Sequence, residues 1–150
     1  MTIPALNLRH LRAFREVARH NSISAASSRV FLSQPAITQA IAKLEKTLDT
    51  ALFERTAAGM FVTTPGGLFL ARVNRALDFI ATGARQASRL GPRGRQRDAG
   101  KFARLLTFSQ LKALVAVSQA GNFSLAARRI EASQPSLHRS ARELERLAGI

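Results

Sequence analysis

The chain contains no cysteine, which excludes a disulfide framework and any thiolate metal site and fits a cytoplasmic protein. Acidic residues are scarce: 9 Asp+Glu stand against 23 Lys+Arg in 150 residues, giving a formal net charge of +14 and a pI near 12.0. No apolar run approaches the roughly 18 residues that a membrane-spanning helix requires. The first ten residues lack the charged start and apolar block of a secretory signal. The three histidines, His10, His20 and His138, stand apart, with no paired carboxylate or metal-ligand spacing around them. Gly66-Gly67 follows a proline without the fingerprint of a nucleotide loop. These absences argue against an enzyme and call for no metal or cofactor and no membrane.

The positive charge is spread evenly. Residues 1–50 hold seven basic and three acidic groups, 51–100 eight and three, and 101–150 eight and three. An excess of this size favours a polyanionic partner, and without a membrane span nucleic acid is the better match.

The most informative positive feature is a repeat. Ser33-Gln34-Pro35 recurs as Ser133-Gln134-Pro135, and residues 8–50 align with 108–150 without a gap. The alignment holds eleven identities, including Leu11/Leu111, Val17/Val117, Ala26/Ala126, Arg29/Arg129 and Leu44-Glu45/Leu144-Glu145. Phe14/Leu114, Ile23/Phe123 and Ile37/Leu137 keep apolar character. One kind of module is therefore expected twice.

The patterning within the module is helical. Leu8, Leu11, Phe14, Val17 and Ala18 share one face of a first helix, with His10 and His20 expected on its solvated side. Ser24 is expected to cap a short second helix running to residue 30. Ser33 is expected to cap a third, with Pro35 in the first turn, where its missing N–H costs nothing. Ile37, Ile41, Leu44 and Leu48 form its buried stripe, and Thr38, Gln39, Ala42, Lys43 and Lys46 face outward. Two helices joined by a tight turn, the second longer and polar-faced, make a helix-turn-helix. Residues 51–64 read as a hairpin, or wing, around the turn signal Ala58-Gly59. A further helix opens near Pro65, capped by Thr63 or Thr64, with Phe69, Val73, Leu77, Ile80 and Ala84 at helical spacing. Residues 88–104, rich in Gly, Pro and Arg, read as a basic flexible linker, and the second module begins at Leu105 or Leu106.

Residues 8–66 resemble the winged helix-turn-helix domain of LysR-type transcriptional regulators. The likeness rests on Leu8, Leu11, Phe14 and Val17, on Ser24-Ala25-Ala26, and on Ser33-Gln34-Pro35-Ala36-Ile37-Thr38. It continues through Leu44-Glu45, Leu52-Phe53-Glu54-Arg55 and Val62-Thr63-Thr64-Pro65-Gly66. Residues 106–150 resemble the same domain through Phe123-Ser124-Leu125-Ala126-Ala127, Ser133-Gln134-Pro135-Ser136-Leu137 and Leu144-Glu145. The expected architecture is mainly α: a winged helix-turn-helix with a long linker helix, followed by a second helix-turn-helix module. The expected divisions are 1–66 for the winged domain, 67–87 for the linker and dimerisation helix, 88–104 for the tether and 105–150 for the second module. The resemblance implies sequence-specific binding of double-stranded DNA in a bacterial transcriptional regulator, and a homodimer or higher oligomer through the linker helix. It departs from the family in three ways: the small-molecule effector domain is absent, the second copy lacks a wing, and the tandem arrangement is unusual. A fragment of a longer regulator is the simplest expectation. The alternatives are a non-specific DNA-coating protein, or an interaction module that pairs with another regulator and blocks it.

The expected contacts follow from side-chain chemistry. The helix starting at Pro35 offers unpaired N–H groups to a phosphate, to which Ser33 can add a donor besides its role as a cap. Gln34 has the amide geometry for adenine, and Thr38 and Gln39 are placed to reach base edges. Arg29, Lys43 and Lys46 suit phosphates, and Arg55 suits phosphates or the adjacent minor groove. In the second module Ser133 and Gln134 recur, while Ser136, His138, Arg139 and Arg142 replace Ala36, Thr38, Gln39 and Ala42. Arg139 suits guanine where Gln39 suits adenine, so the two modules are expected to differ in preference. A degenerate second copy that only packs is the competing reading.

Overall fold

The computed structural model describes residues 6–90 and 98–149. Helix α1 (Leu8–His20) is capped by Asn7, whose side chain accepts from the Arg9 N–H at 2.8 Å, and its last turn carries the cation of Arg19, which suits the negative end of its dipole. It buries Leu8, Leu11, Ala13, Phe14 and Val17; Ala18 is only half-buried. Helix α2 (Ile23–Val30) is capped by Ser22 rather than Ser24. Residue 22 is the extended one, and its hydroxyl accepts from Ala25 N at 3.2 Å, whereas Ser24 already lies inside the first turn. Helix α3 (Gln34–Leu48) starts at Ser33, whose hydroxyl accepts from Ala36 N at 3.3 Å, with Pro35 in the first turn. Ile37, Ala40, Ile41 and Leu44 are buried along α3, and Leu48 is half-buried.

The wing is an antiparallel pair, β1 (Phe53–Thr56) and β2 (Gly59–Val62), in register Phe53↔Val62 through Thr56↔Gly59. Gly59 sits at φ +137°, and a Cβ there would fall 2.5 Å from the Asn21 carbonyl oxygen that accepts from Met60 N. Glycine is therefore what lets the wing approach the end of α1. Two side chains tie the wing to its neighbours. Glu45 of α3 accepts from Leu52 N at 2.8 Å and Phe53 N at 3.3 Å. Thr63 donates to the Ala51 carbonyl at 2.8 Å and accepts from Gly66 N at 3.0 Å, so it caps the next helix while closing the base of the hairpin. That helix, α4 (Thr64–Leu90), is 27 residues long. Phe14 lies at the centre of this unit, its ring 5.2 Å from those of both Phe53 and Phe69.

Compactness divides the chain between Phe79 and Ile80, inside α4. In the second unit, helix α5 (Ala99–Leu105) corrects one end of the expected linker, because Asp98 caps it by accepting from Lys101 N at 3.0 Å. At the other end α4 continues to Leu90; residues 91–97 of the expected tether lie outside the described residues. Helices α6 (Phe108–Ala120), α7 (Phe123–Arg129) and α8 (Gln134–Ala148) repeat the order of α1–α3. A capping box starts α6: Gln110 N donates to the Thr107 hydroxyl at 3.3 Å, and Thr107 N donates to the Gln110 side chain at 3.0 Å. The core here is small-residue packing of Ala113, Ala116, Ala126, Ala127 and Leu137, with Val117, Ala120, Phe123 and Ile130 against it. Phe31 and Glu131, equivalent positions before the two Ser-Gln-Pro motifs, both adopt left-handed backbone, at φ 54° and 53°. No helix among the described residues is long and apolar enough to cross a membrane.

Candidate nucleic-acid interface

The turn between α2 and α3 places the start of α3 at the surface. Ser33, Gln34 and Pro35 are exposed there, and Gln39, Lys43 and Lys46 are exposed further along the helix. Thr38 is half-buried, and its hydroxyl donates to the Gln34 carbonyl at 3.1 Å, leaving its oxygen lone pairs for a ligand. Gln34, Pro35, Thr38 and Gln39 line one open groove of about 930 Å³ together with Arg55 of the wing. The groove therefore unites five of the residues singled out in the first module. Arg29, Lys43 and Lys46 are exposed but do not line it. Ile23 and Ser27 of α2 complete the wall and were not among the expected residues. Their i, i+4 spacing was visible in the sequence, but that this face of α2 turns toward α3 was not. Ser27 donates to the Leu32 carbonyl at 2.6 Å, which helps hold the turn.

His10 departs from its expected place on the solvated side: it is half-buried. Desolvation lowers its pKa below the ordinary histidine value, and Lys43 and Arg9 push it the same way. His20 is exposed and lies 3.5 Å from Glu16.

The second copy has the same cap and different surroundings. Ser133 accepts from Ser136 N at 3.3 Å, as Ser33 does from Ala36 N. Gln134 donates through Nε2 to the Ser124 hydroxyl of α7. The His138 ring stacks on Phe123, centroids 3.9 Å apart and 14° from parallel. Ser136, Arg139 and Arg142 are exposed. Among the described residues of this unit there is no strand.

This geometry has close parallels. The model of the "Bacterial regulatory helix-turn-helix protein, lysR family" matches residues 8–67 and again 108–150. Among curated relatives, an uncharacterised HTH-type transcriptional regulator of Escherichia coli K12, YdcI, is 38% identical over 84 residues, covering 56% of this chain and 27% of its own. The regulator ClcR of Pseudomonas putida is 40% identical over 89 residues, covering 59% of this chain and 30% of its own. The chain thus spans less than a third of the length of these two relatives. Among solved structures, the CbnR DNA-binding domain in complex with DNA aligns at a TM-score of 0.50 and 32% identity, over 53% of this chain and 92% of that one. The BenM DNA-binding domain with catB site 1 DNA aligns at 0.53 and 28%, over 55% and 93%. With the family's domain matched twice over most of its length, this chain belongs to the lysR family of bacterial regulatory helix-turn-helix proteins.

Proposed function

We propose that the chain is the DNA-binding part of a LysR-type bacterial transcriptional regulator and binds double-stranded DNA sequence-specifically. The observation that carries this is the groove in which Gln34, Thr38 and Gln39 of α3 meet Arg55 of the wing, on a chain of net charge +14. Amide and hydroxyl groups are the side chains that discriminate base edges, and Gln34 and Gln39 have the fork that pairs with adenine. Ser33, Pro35 and the α3 N-terminus serve a phosphate, with Arg29, Lys43 and Lys46 on flanking phosphates and Arg55 on phosphate or the minor groove. In the second copy Ser133, Gln134, Ser136, His138, Arg139 and Arg142 occupy the corresponding surface. Phosphate neutralisation supplies most of the raw affinity and makes it salt-dependent. A homodimer through α4 fits the exposure of Leu68 (71%) and Phe79 (67%) on that helix. Such a protein acts on chromosomal DNA in the cytoplasm, and its relatives are named as regulators rather than enzymes.

The test is a binding-site selection from a random DNA library with the whole chain, in about 0.15 M salt and excess competitor DNA. An enriched motif that Gln34→Ala and Gln39→Ala relax at particular positions is the expected result. Tight binding that unrelated DNA competes away equally would overturn specific readout in favour of a DNA-coating protein. Failure to bind DNA would overturn the reading altogether.

A further inference from the structure

The two copies deliver different chemistry from the same helix. In the first, the polar side chains at positions 34, 38 and 39 line the groove, and Arg55 of the wing adds a cation to it. In the second, the counterparts of the first two are engaged by α7: Gln134 donates to Ser124, and the His138 ring lies flat on Phe123. Beside them on α8 stand the exposed Arg139 and Arg142, three residues apart and so on one side of the helix, where the first copy has Gln39 and Ala42. A guanidinium fork matches the O6 and N7 acceptors of guanine, whereas a carboxamide fork matches N6 and N7 of adenine. Where the first copy has the carboxamide of Gln39 and takes its groove cation from Arg55 of the wing, the second has a cation, Arg139, at the same helix position.

Building on the DNA-binding reading above, we propose that α8 recognises a guanine-bearing DNA element through Arg139, with Arg142 on the neighbouring base or phosphate. One chain then reads two unlike DNA elements.

The test repeats the selection with the whole chain and with Arg139→Gln, which gives α8 the residue that α3 carries. Arg139 is exposed, so the variant should keep the wild-type circular dichroism and melting curve. The expected wild-type motif has two non-identical parts, one with an obligatory guanine. In R139Q that guanine loses its advantage over other bases by roughly 5- to 150-fold, while the other part is unchanged. A wild-type motif with a single part, or with two copies of one part, overturns the inference and leaves specific binding by the first copy standing. An R139Q motif identical to wild type does the same. If the wild-type chain enriches nothing, the inference and the reading it builds on fall together.

Discussion

Phe14 is fully buried, with Phe53 of the wing and Phe69 of α4 on either hand; its counterpart Leu114 is 51% exposed. The α6 face turns its small residues, Ala113 and Ala116, into the core, where α1 uses Leu11, Phe14 and Val17. Yet both copies form three helices in the same order, with the same serine cap and the same left-handed residue before it. The helix-turn-helix is thus set by local signals that survive in both copies. In the first copy the core also takes in Phe53 of the wing and Phe69 of α4.

The largest effect expected from this contrast is at the aromatic cluster. Phe14→Ala should cost about 3–5 kcal/mol, as deletion of a fully buried ring does. Leu114→Ala should stay within about 1 kcal/mol, since half of that side chain is already in water. Denaturant unfolding followed by circular dichroism checks both, and equal losses at the two sites would show that α6 buries the face assigned to solvent. Next comes the clasp between α3 and the wing. Glu45→Ala leaves Leu52 N and Phe53 N without their carboxylate acceptor and should cost about 1.5–3 kcal/mol, whereas Glu145→Ala, at an exposed site, should lie within about 0.5 kcal/mol. A neutral Glu45→Ala in the same unfolding assay would remove the carboxylate as the link to the wing. The caps should behave alike: Ser33→Ala and Ser133→Ala are each expected to cost about 0.5–2 kcal/mol. A loss confined to one of them in thermal melts would mean that the two helix starts are not equivalent.

The smallest effect concerns His10, whose counterpart is the non-titrating Gln110. Because burial lowers the folded-state pKa of His10, the unfolded chain binds more protons between that value and about 6.5. Stability should therefore rise with pH across this interval and level off above it. His10→Gln, which installs the residue of the second copy, should flatten that slope in unfolding measurements from about pH 5 to 7.5. An unchanged slope would assign it to other groups.

Much of the candidate site was legible in the chain. Ser33 with Pro35 fixed where α3 begins, and the spacing of Ile37, Ile41 and Leu44 fixed which face turned inward, so Gln34, Gln39, Lys43 and Lys46 had to face out. The capping box at Thr107 and Gln110 is equally legible, as a threonine followed three residues later by glutamine. The cap at Ser22 was harder, since several serines compete there and only the backbone of residue 22 decides among them. The helical ends of the expected tether were hidden by its Gly, Pro and Arg content, with Asp98 as the local signal for α5.

Other features needed the assembled structure. Nothing about phenylalanine or glutamate foretells the left-handed backbone at Phe31 and Glu131, since side chains with a Cβ disfavour it; at Phe31 it is the C-cap that ends α2. The groove required α2, α3 and the wing together, which is why Ile23 and Ser27 were missed while Arg55 was named without its neighbours. Engagement of Gln134 by Ser124 and stacking of His138 on Phe123 depend on how α7 and α8 meet. The sequence by itself determined the repeat, the helix starts, the polar faces and the charge, because these rest on periodicity, capping and counting. Tertiary structure decided which polar residues share a groove and which are engaged by a neighbour, because those outcomes depend on contacts between segments far apart in the chain.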